Sequence, residues 1–337
     1  MQELSLADLE HKLIELLETQ ALPADEIRLI GLLGKGTRAV VFSVIVDGVY
    51  HVLKVYDSAA SMKAELRNLR KMTPKDRFLF SWQEDNLNLA IIEVPEGREL
   101  TSDLLTPTVS TNLAKRLAEL YRIRYRQRVS QSSLLERLER SNGPCLEAVQ
   151  ALGLDVAPYE KLLKGLEKLL RDEPKLFRTN KVRVHGDLWW PNIMVAEEDV
   201  YLIDWESMHR GDPAEDLAKF RLVTYWPRNE IAPTYFWQHP SHVPRISRAL
   251  ASIVEHYNTS VGNDDLSKRL RFYLPFLCVY ELGLRYTMVQ TESAFSTMTD
   301  RILATEALRL FEDPLAYPPD LKAIGYAALL DEAMAAS

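Results

Sequence analysis

The sequence predicts an α+β fold in two lobes: a small antiparallel-sheet lobe with one helix, then a larger, mostly helical lobe. Three observations predict it. β-rich runs crowd residues 27–56, helical periodicity dominates from residue 111 onward, and the stretch PEGREL at 95–100 separates the two textures. The chain has 337 residues and 47% hydrophobic content, enough for two lobes around a cleft.

Taken in order, Leu6, Leu9, Leu13, Leu16 and Leu17 share one helical face, so residues 5–19 read as a helix that Pro23 ends. It either caps the sheet lobe or dimerises. The runs RLIGLL, AVVFSVIV and YHVLKVY read as strands, and Asp47-Gly48 between the last two is a hairpin signal. A helix at 59–72 and a strand at 87–94 complete the lobe. Beyond the linker, helices are expected at 111–125, 132–140, 159–172, 213–226, 243–257, 266–290 and 300–311, with short strands and loops within 181–204. The expected division is an N-terminal helix extension (1–24), a nucleotide-binding lobe (25–94), a hinge (95–100), a catalytic and acceptor-binding lobe (101–312) and a tail with a terminal helix (313–337).

Bulk properties exclude several classes. The net charge of −7 gives no general attraction to nucleic acid and mildly favours a cationic substrate. Cys145 and Cys278 are far apart and form no CxxC, which argues against a zinc or disulfide scaffold and fits the reducing cytoplasm. The acidic, amphipathic start lacks a basic n-region, so no signal peptide is expected. The apolar run FYLPFLCVYELGL is broken by Pro275 and Glu281, so no membrane span is expected either. The run KRLAELYRIRYRQR at 115–128 carries six bases against one acid and is expected to be a solvated helix face rather than a nucleic-acid surface.

The stretch RVHGDLWWPNIMV at 183–195 holds the densest chemistry. Asp187 and Asn192 are five residues apart, so a tight loop can bring them to one point. A carboxylate accepts a proton from a hydroxyl, and an amide oxygen beside it ligates Mg²⁺. Asp204 arrives twelve residues after Asn192 at the end of the apolar run VYLI, a second carboxylate for a hard-oxygen site. Two acids, an amide and a metal-bound phosphate suit phosphoryl transfer. Gly34-Lys35-Gly36 lets backbone N–H groups approach a phosphate. Lys54 interrupts VLKVY, and a lysine in such a strand needs an anionic partner, with Glu65 on the next helix the candidate.

These residues resemble the aminoglycoside phosphotransferase and choline kinase-like family, which shares the protein-kinase-like fold. His185-Gly186-Asp187 with Asn192 is similar to its HGDxxxxN loop, Ile203-Asp204-Trp205-Glu206 to its IDWE segment, and Gly211 to Leu217 to its GDPxxDLA. The resemblance spans about residues 27–311. It implies Asp187 as catalytic base, and Asn192 and Asp204 as holders of Mg²⁺. It implies Lys54, paired with Glu65, on the α- and β-phosphates of ATP, and the backbone near Glu93 and Val94 on the adenine, with GTP the other candidate nucleotide. The acceptor would be a hydroxyl of a small molecule such as an aminoglycoside, amino alcohol or sugar. One departure stands out: where protein kinases write GxGxxGxV, this chain has Gly34, Gly36, Ala39 and Val41, so the third glycine is lost.

Other features have structural readings. Asp212, Pro213 and Glu215 fit the N-cap, N1 and N3 positions of a helix, Asp216 then braces the catalytic loop, and His185 holds that loop by hydrogen bonds. Trp190 is expected to pack, while Trp189 either packs or walls the acceptor pocket by cation–π contact. The aromatic, proline-broken segment at 225–244 falls where the family recognises its acceptor, with core packing the alternative. Two rival functions remain: a protein kinase-like enzyme, against which the short Asp204–Asp212 interval argues, and a catalytically silent nucleotide-binding module.

Overall fold

A computed structural model describes residues 6–19, 21–35, 38–72, 78–84, 87–95, 97–101, 103–222, 243–261, 266–289 and 297–312. Gly36, most of the aromatic segment at 225–244 and the tail at 313–337 lie outside the described residues. The chain forms two compact units. The first takes the chain up to residue 96 together with Leu202–Met208, and the second takes Gly97–Tyr201 and the chain from His209 onward.

The first unit is an antiparallel sheet of five strands, β1 (Ile27–Lys35), β2 (Ala39–Val46), β3 (Val49–Tyr56), β4 (Phe78–Glu84) and β5 (Leu87–Glu93), in the order β1-β2-β3-β5-β4. Asp47 and Gly48 both take positive φ, 49° and 80°, the backbone a two-residue hairpin turn requires. The Asp47 carboxylate fixes the turn by accepting from the amides of Asp25 and Glu26 at 2.9 and 2.8 Å. Helix α1 (Leu6–Glu18) is not an appendage. Leu9, Leu13 and Leu16 are buried in one cluster with Val44, Val46, Leu53 and Leu89, so α1 closes one face of the sheet. Strand β4 was not expected, although Phe78, Phe80 and Trp82 alternate along it.

Helix α2 (Ala59–Met72) explains why Leu202–Met208 joins this unit rather than the helical lobe, where linear order would put it. The Asn68 amide donates to the Trp205 carbonyl at 3.0 Å, and Trp205 is buried. The segment is therefore tied down across 137 residues of sequence.

Among the described residues, the second unit holds helices α3 (Pro107–Tyr121), α4 (Gln131–Ala151), α5 (Ala157–Asp172), α6 (Pro213–Leu222), α7 (Val243–Val261), α8 (Leu266–Val289) and α9 (Thr297–Glu312). Its two small sheets order as β10-β9-β6 and β11-β8-β7. The strands are β6 (Arg98–Glu99), β7 (Arg124–Arg128), β8 (Asn180–Val184), β9 (Ile193–Ala196), β10 (Asp199–Leu202) and β11 (His209–Gly211). The core is α8, whose residues 272–279 are all buried. Helix α4 runs past Gly143 and Pro144, where the sequence suggests an end, because it packs closely on α8: a Cβ on Gly283 would lie 3.0 Å from the Pro144 side chain. Tertiary packing there outweighs the lost backbone hydrogen bond. No helix of the described residues is long and apolar enough to cross a membrane.

Two expectations need correction. The stretch 95–100 is not only a linker, since Arg98 and Glu99 pair with Val195 and Met194 as β6. The basic run at 115–128 is not one helix face. Helix α3 ends at Tyr121, and Arg124–Arg128 turns back as β7, pairing with β8. Alternating RYRQR suits an edge strand better than a helix once Val182 and Val184 offer a partner.

Candidate active site

Within the first unit, β3 carries Lys54 and α2 carries Glu65. The ammonium lies 2.6 Å from Glu65 Oε1 and 3.0 Å from Asp204 Oδ1. Burial alone would lower the Lys54 ammonium, but the two carboxylates outweigh it and hold the group well above its ordinary value. Asp204 sits at φ 63°, ψ 69°, left-handed backbone that a non-glycine residue adopts only where its surroundings impose it. That turn, just before a 3-10 turn at Trp205–Ser207, aims the carboxylate at Lys54.

Glu206 joins this group, a residue the sequence reading quoted but gave no role. Ligand atoms of Glu65, Asp204 and Glu206 all lie within 4.8 Å of one another. Burial, and then repulsion from Asp204 and Glu65, push the Glu206 carboxyl up. Carboxylate oxygens so grouped are hard ligands of the kind a divalent cation takes, and such an ion would relieve that repulsion. The signal was present in sequence as an acid two residues after Asp204.

Gly34, near the end of β1, has room around it: a Cβ there would meet no atom within 4 Å. Protein packing does not demand the glycine. Gly36 and the Lys35 side chain lie outside the described residues. Glu93 ends β5 opposite His51, and Val94 follows, half-buried.

In the second unit, β8 delivers His185, Gly186 and Asp187. Gly186 takes φ 80°, which turns the chain off the strand. Asp216, buried on α6, grips the turn: its Oδ2 accepts from the His185 amide at 2.7 Å and its Oδ1 from the Gly186 amide at 2.8 Å. Tyr121 Oη donates to the same carboxylate at 3.3 Å. Burial pushes the Asp216 carboxyl up, although these amides favour its charge. His185 is fully buried, and its Nδ1 accepts from the Asp187 amide at 3.3 Å.

Asp187 is held on both carboxylate oxygens. Asn192 Nδ2 donates to its Oδ2 at 3.1 Å and to its carbonyl at 2.9 Å. Lys219 Nζ lies 2.6 Å from its Oδ1. Burial works against the Lys219 charge, but Asp187 prevails and raises the ammonium above its ordinary value. Sequence reading missed Lys219. The signal was its place three residues after Asp216, on the same helical face. Trp190 packs as expected, fully buried and stacked on Phe220 with ring centroids 5.6 Å apart, while Trp189 stays half-exposed.

Asp212 caps α6 by accepting from the Ala214 amide at 3.0 Å. It also forms a buried ion pair with Arg269, Nε to Oδ2 2.8 Å. Glu215 goes to Arg137 at 2.7 Å. The expected site residues thus gather as two groups: Lys54, Glu65 and Asp204 with Glu206, and Asp187 and Asn192 with Lys219.

This is the arrangement of HGDxxxxN and IDWE side chains, and residues 30–239 match the profile of the phosphotransferase enzyme family. The chain belongs to that family. Solved structures place the fold of this phosphotransferase as protein-kinase-like. A choline kinase from Cryptosporidium parvum is similar with a TM-score of 0.60 at 13% identity, covering 91% of this chain and 97% of that one. Aminoglycoside phosphotransferase APH(4)-Ia gives 0.57 at 15% identity, covering 90% and 99%. A Plasmodium vivax ethanolamine kinase gives 0.55 at 15% identity, covering 86% and 84%. No curated protein matches the phosphotransferase in sequence.

Proposed function

We propose that this phosphotransferase moves the γ-phosphoryl group of ATP to a hydroxyl of a small molecule, an aminoglycoside, amino alcohol or sugar. One observation carries the reading: the Asp187 carboxylate, fixed by Asn192 and Lys219 on a loop that Asp216 grips from behind. A carboxylate so held is oriented before any acceptor arrives. Asp187 takes the hydroxyl proton while the hydroxyl oxygen bonds to the γ-phosphorus. The bond to the β–γ bridging oxygen breaks, and its electron pair leaves on ADP.

Lys54, kept charged by Glu65, contacts the α- and β-phosphates. Gly34, Lys35 and Gly36 lie along the phosphates, and the backbone at Glu93 and Val94 takes the adenine, with GTP the other candidate. Asp204, with Glu206 beside it, and the amide oxygen of Asn192 hold Mg²⁺. That oxygen is the atom left once the amide nitrogen is committed to Asp187. When bound, the ion offsets the negative charge of the phosphoryl oxygens. The complex of APH(4)-Ia with ADP and hygromycin B, a neighbour at 15% identity, supports a nucleotide and an amino-sugar acceptor as the class. The net charge of −7 also suits a cationic acceptor. Free, buried Cys145 and Cys278 suit the cytoplasm.

Incubation with γ-labelled ATP and a panel of aminoglycosides, amino alcohols and sugars tests this. Label should move to a hydroxyl of at least one acceptor, and chelating Mg²⁺ should abolish the transfer. Nucleotide binding with no transfer across the panel would make the chain a silent module instead.

A further inference from the structure

Two residues beyond Lys54, β3 places Tyr56, and alternate positions of a strand share a face. Lys54 and Tyr56 therefore point to the same side of the sheet, where both meet Glu65 of α2. Asp204 and Glu206 lie close by, since their charges also bear on the Tyr56 hydroxyl. Tyr56 is 2% exposed and ranks among the largest fully buried side chains of the described residues.

That burial leaves two atoms short of partners. Lys54 takes Glu65 Oε1 at 2.6 Å, but Oε2 is buried with no hydrogen bond, and so is the Tyr56 hydroxyl. The two are complementary, a proton donor and a carboxylate acceptor. Burial, and then the Glu65 carboxylate, keep the hydroxyl protonated, so the donor is always present. Tyr56 is thus near enough to feel Glu65, yet no hydrogen bond of ordinary geometry joins them. Asn88, opposite Tyr56 on β5, also keeps a buried oxygen without a partner. Its side chain is short and its polar end stays at the sheet, whereas the tyrosine hydroxyl reaches α2.

A buried donor and acceptor held apart cost stability, and such pairs persist where a second state of the site brings them together. Lys54 shows what that state is. Its ammonium is shared between Glu65 and Asp204, at 2.6 and 3.0 Å. The proposed reaction commits Asp204 to the metal and Lys54 to the phosphates, so Glu65 alone of the two keeps the ammonium aimed. A carboxylate gripped by one oxygen still turns about its own bond to the chain. A hydrogen bond on the second oxygen fixes its plane.

We propose that Tyr56 is a positioning residue whose hydroxyl bonds to Glu65 Oε2 when nucleotide binds, and so holds Lys54 on the phosphates. The inference rests on the phosphotransfer reading. Its test is Tyr56→Phe in the full chain, which removes a single oxygen, with calorimetry of a non-hydrolysable ATP analogue and Mg²⁺. Affinity should fall by on the order of fivefold to tenfold, with the acceptor KM unchanged. In a Glu65→Gln background, where an amide nitrogen that cannot accept replaces Oε2, the same substitution should cost almost nothing further. The nucleotide-free thermal midpoint should hold or rise, because the lost hydroxyl had no partner. Unchanged affinity, or losses that add across the two substitutions, would overturn the proposal. A nucleotide-free midpoint several degrees lower with affinity unchanged would make the hydroxyl a structural group, bonded in every state through a water. A native chain that binds no analogue fails the phosphotransfer reading itself, whereas native binding beside an equally tight Tyr56→Phe fails this inference alone.

Discussion

Asp187 reaches no productive geometry by itself. Asn192 holds one oxygen and Lys219 the other, so the direction of its remaining lone pairs is set by two side chains from different elements. Lys219 is the more informative of the two because it lies outside the loop. Lys219→Met keeps a stem of similar length and removes the charge. We expect kcat to fall by on the order of tenfold to a hundredfold with the nucleotide KM unchanged, and Lys219→Arg to recover much of the loss. Steady-state kinetics of the three proteins check this, and a drop confined to KM would move Lys219 into ground-state binding. On the other group, Asp204 holds left-handed backbone at φ 63° near Glu206, whose carboxyl is pushed up by burial and then by Asp204 and Glu65. Both features cost stability, and both put negative charge where Lys54 meets it.

At the scale of elements, α6 sets the His185–Asn192 loop. Its cap Asp212, its first-turn Asp216 and Lys219 one turn later fix, in order, the helix start, the backbone of His185–Gly186 and the side chain of Asp187. The 3-10 turn at Trp190–Asn192 is the other support. Its Trp190 stacks on Phe220 of α6 with 2° between the rings. Trp190→Ala should therefore cost about 3–5 kcal/mol, read as a lower thermal midpoint, and should disturb Asn192. A loss below about 1 kcal/mol would mean that the turn holds without the ring. Much of this was legible: HGD, the N-cap at Asp212 and the bracing Asp216 are local patterns. Lys219 and Glu206 were legible only as spacings, and their use depends on which charges meet them in space. The stretch RIRYRQR reads equally as helix or strand, because arginine is a good helix former and the alternation is carried by polar residues. Only a waiting edge on β8 decides it. Strand β4 and the continuation of α4 through Pro144 are likewise decided by partners far away in sequence.

For the whole molecule, sequence order and spatial grouping differ in one place that matters. Leu202–Met208 leaves the second unit and joins the first, carrying Asp204 and Glu206 to Lys54 and Glu65. The motif IDWE announces that the acids matter, but not that they pack on α2 through Asn68. The uneven charge, a basic sheet on a chain of net −7, is also a property of the assembled fold. The proposed reaction stands on Asp187 taking the acceptor's proton. The most direct measurement compares turnover and nucleotide affinity of the native chain and Asp187→Asn with an acceptor that takes label from ATP. Turnover should drop on the order of a hundredfold or more while nucleotide affinity is little changed. Native turnover in Asp187→Asn would contradict it.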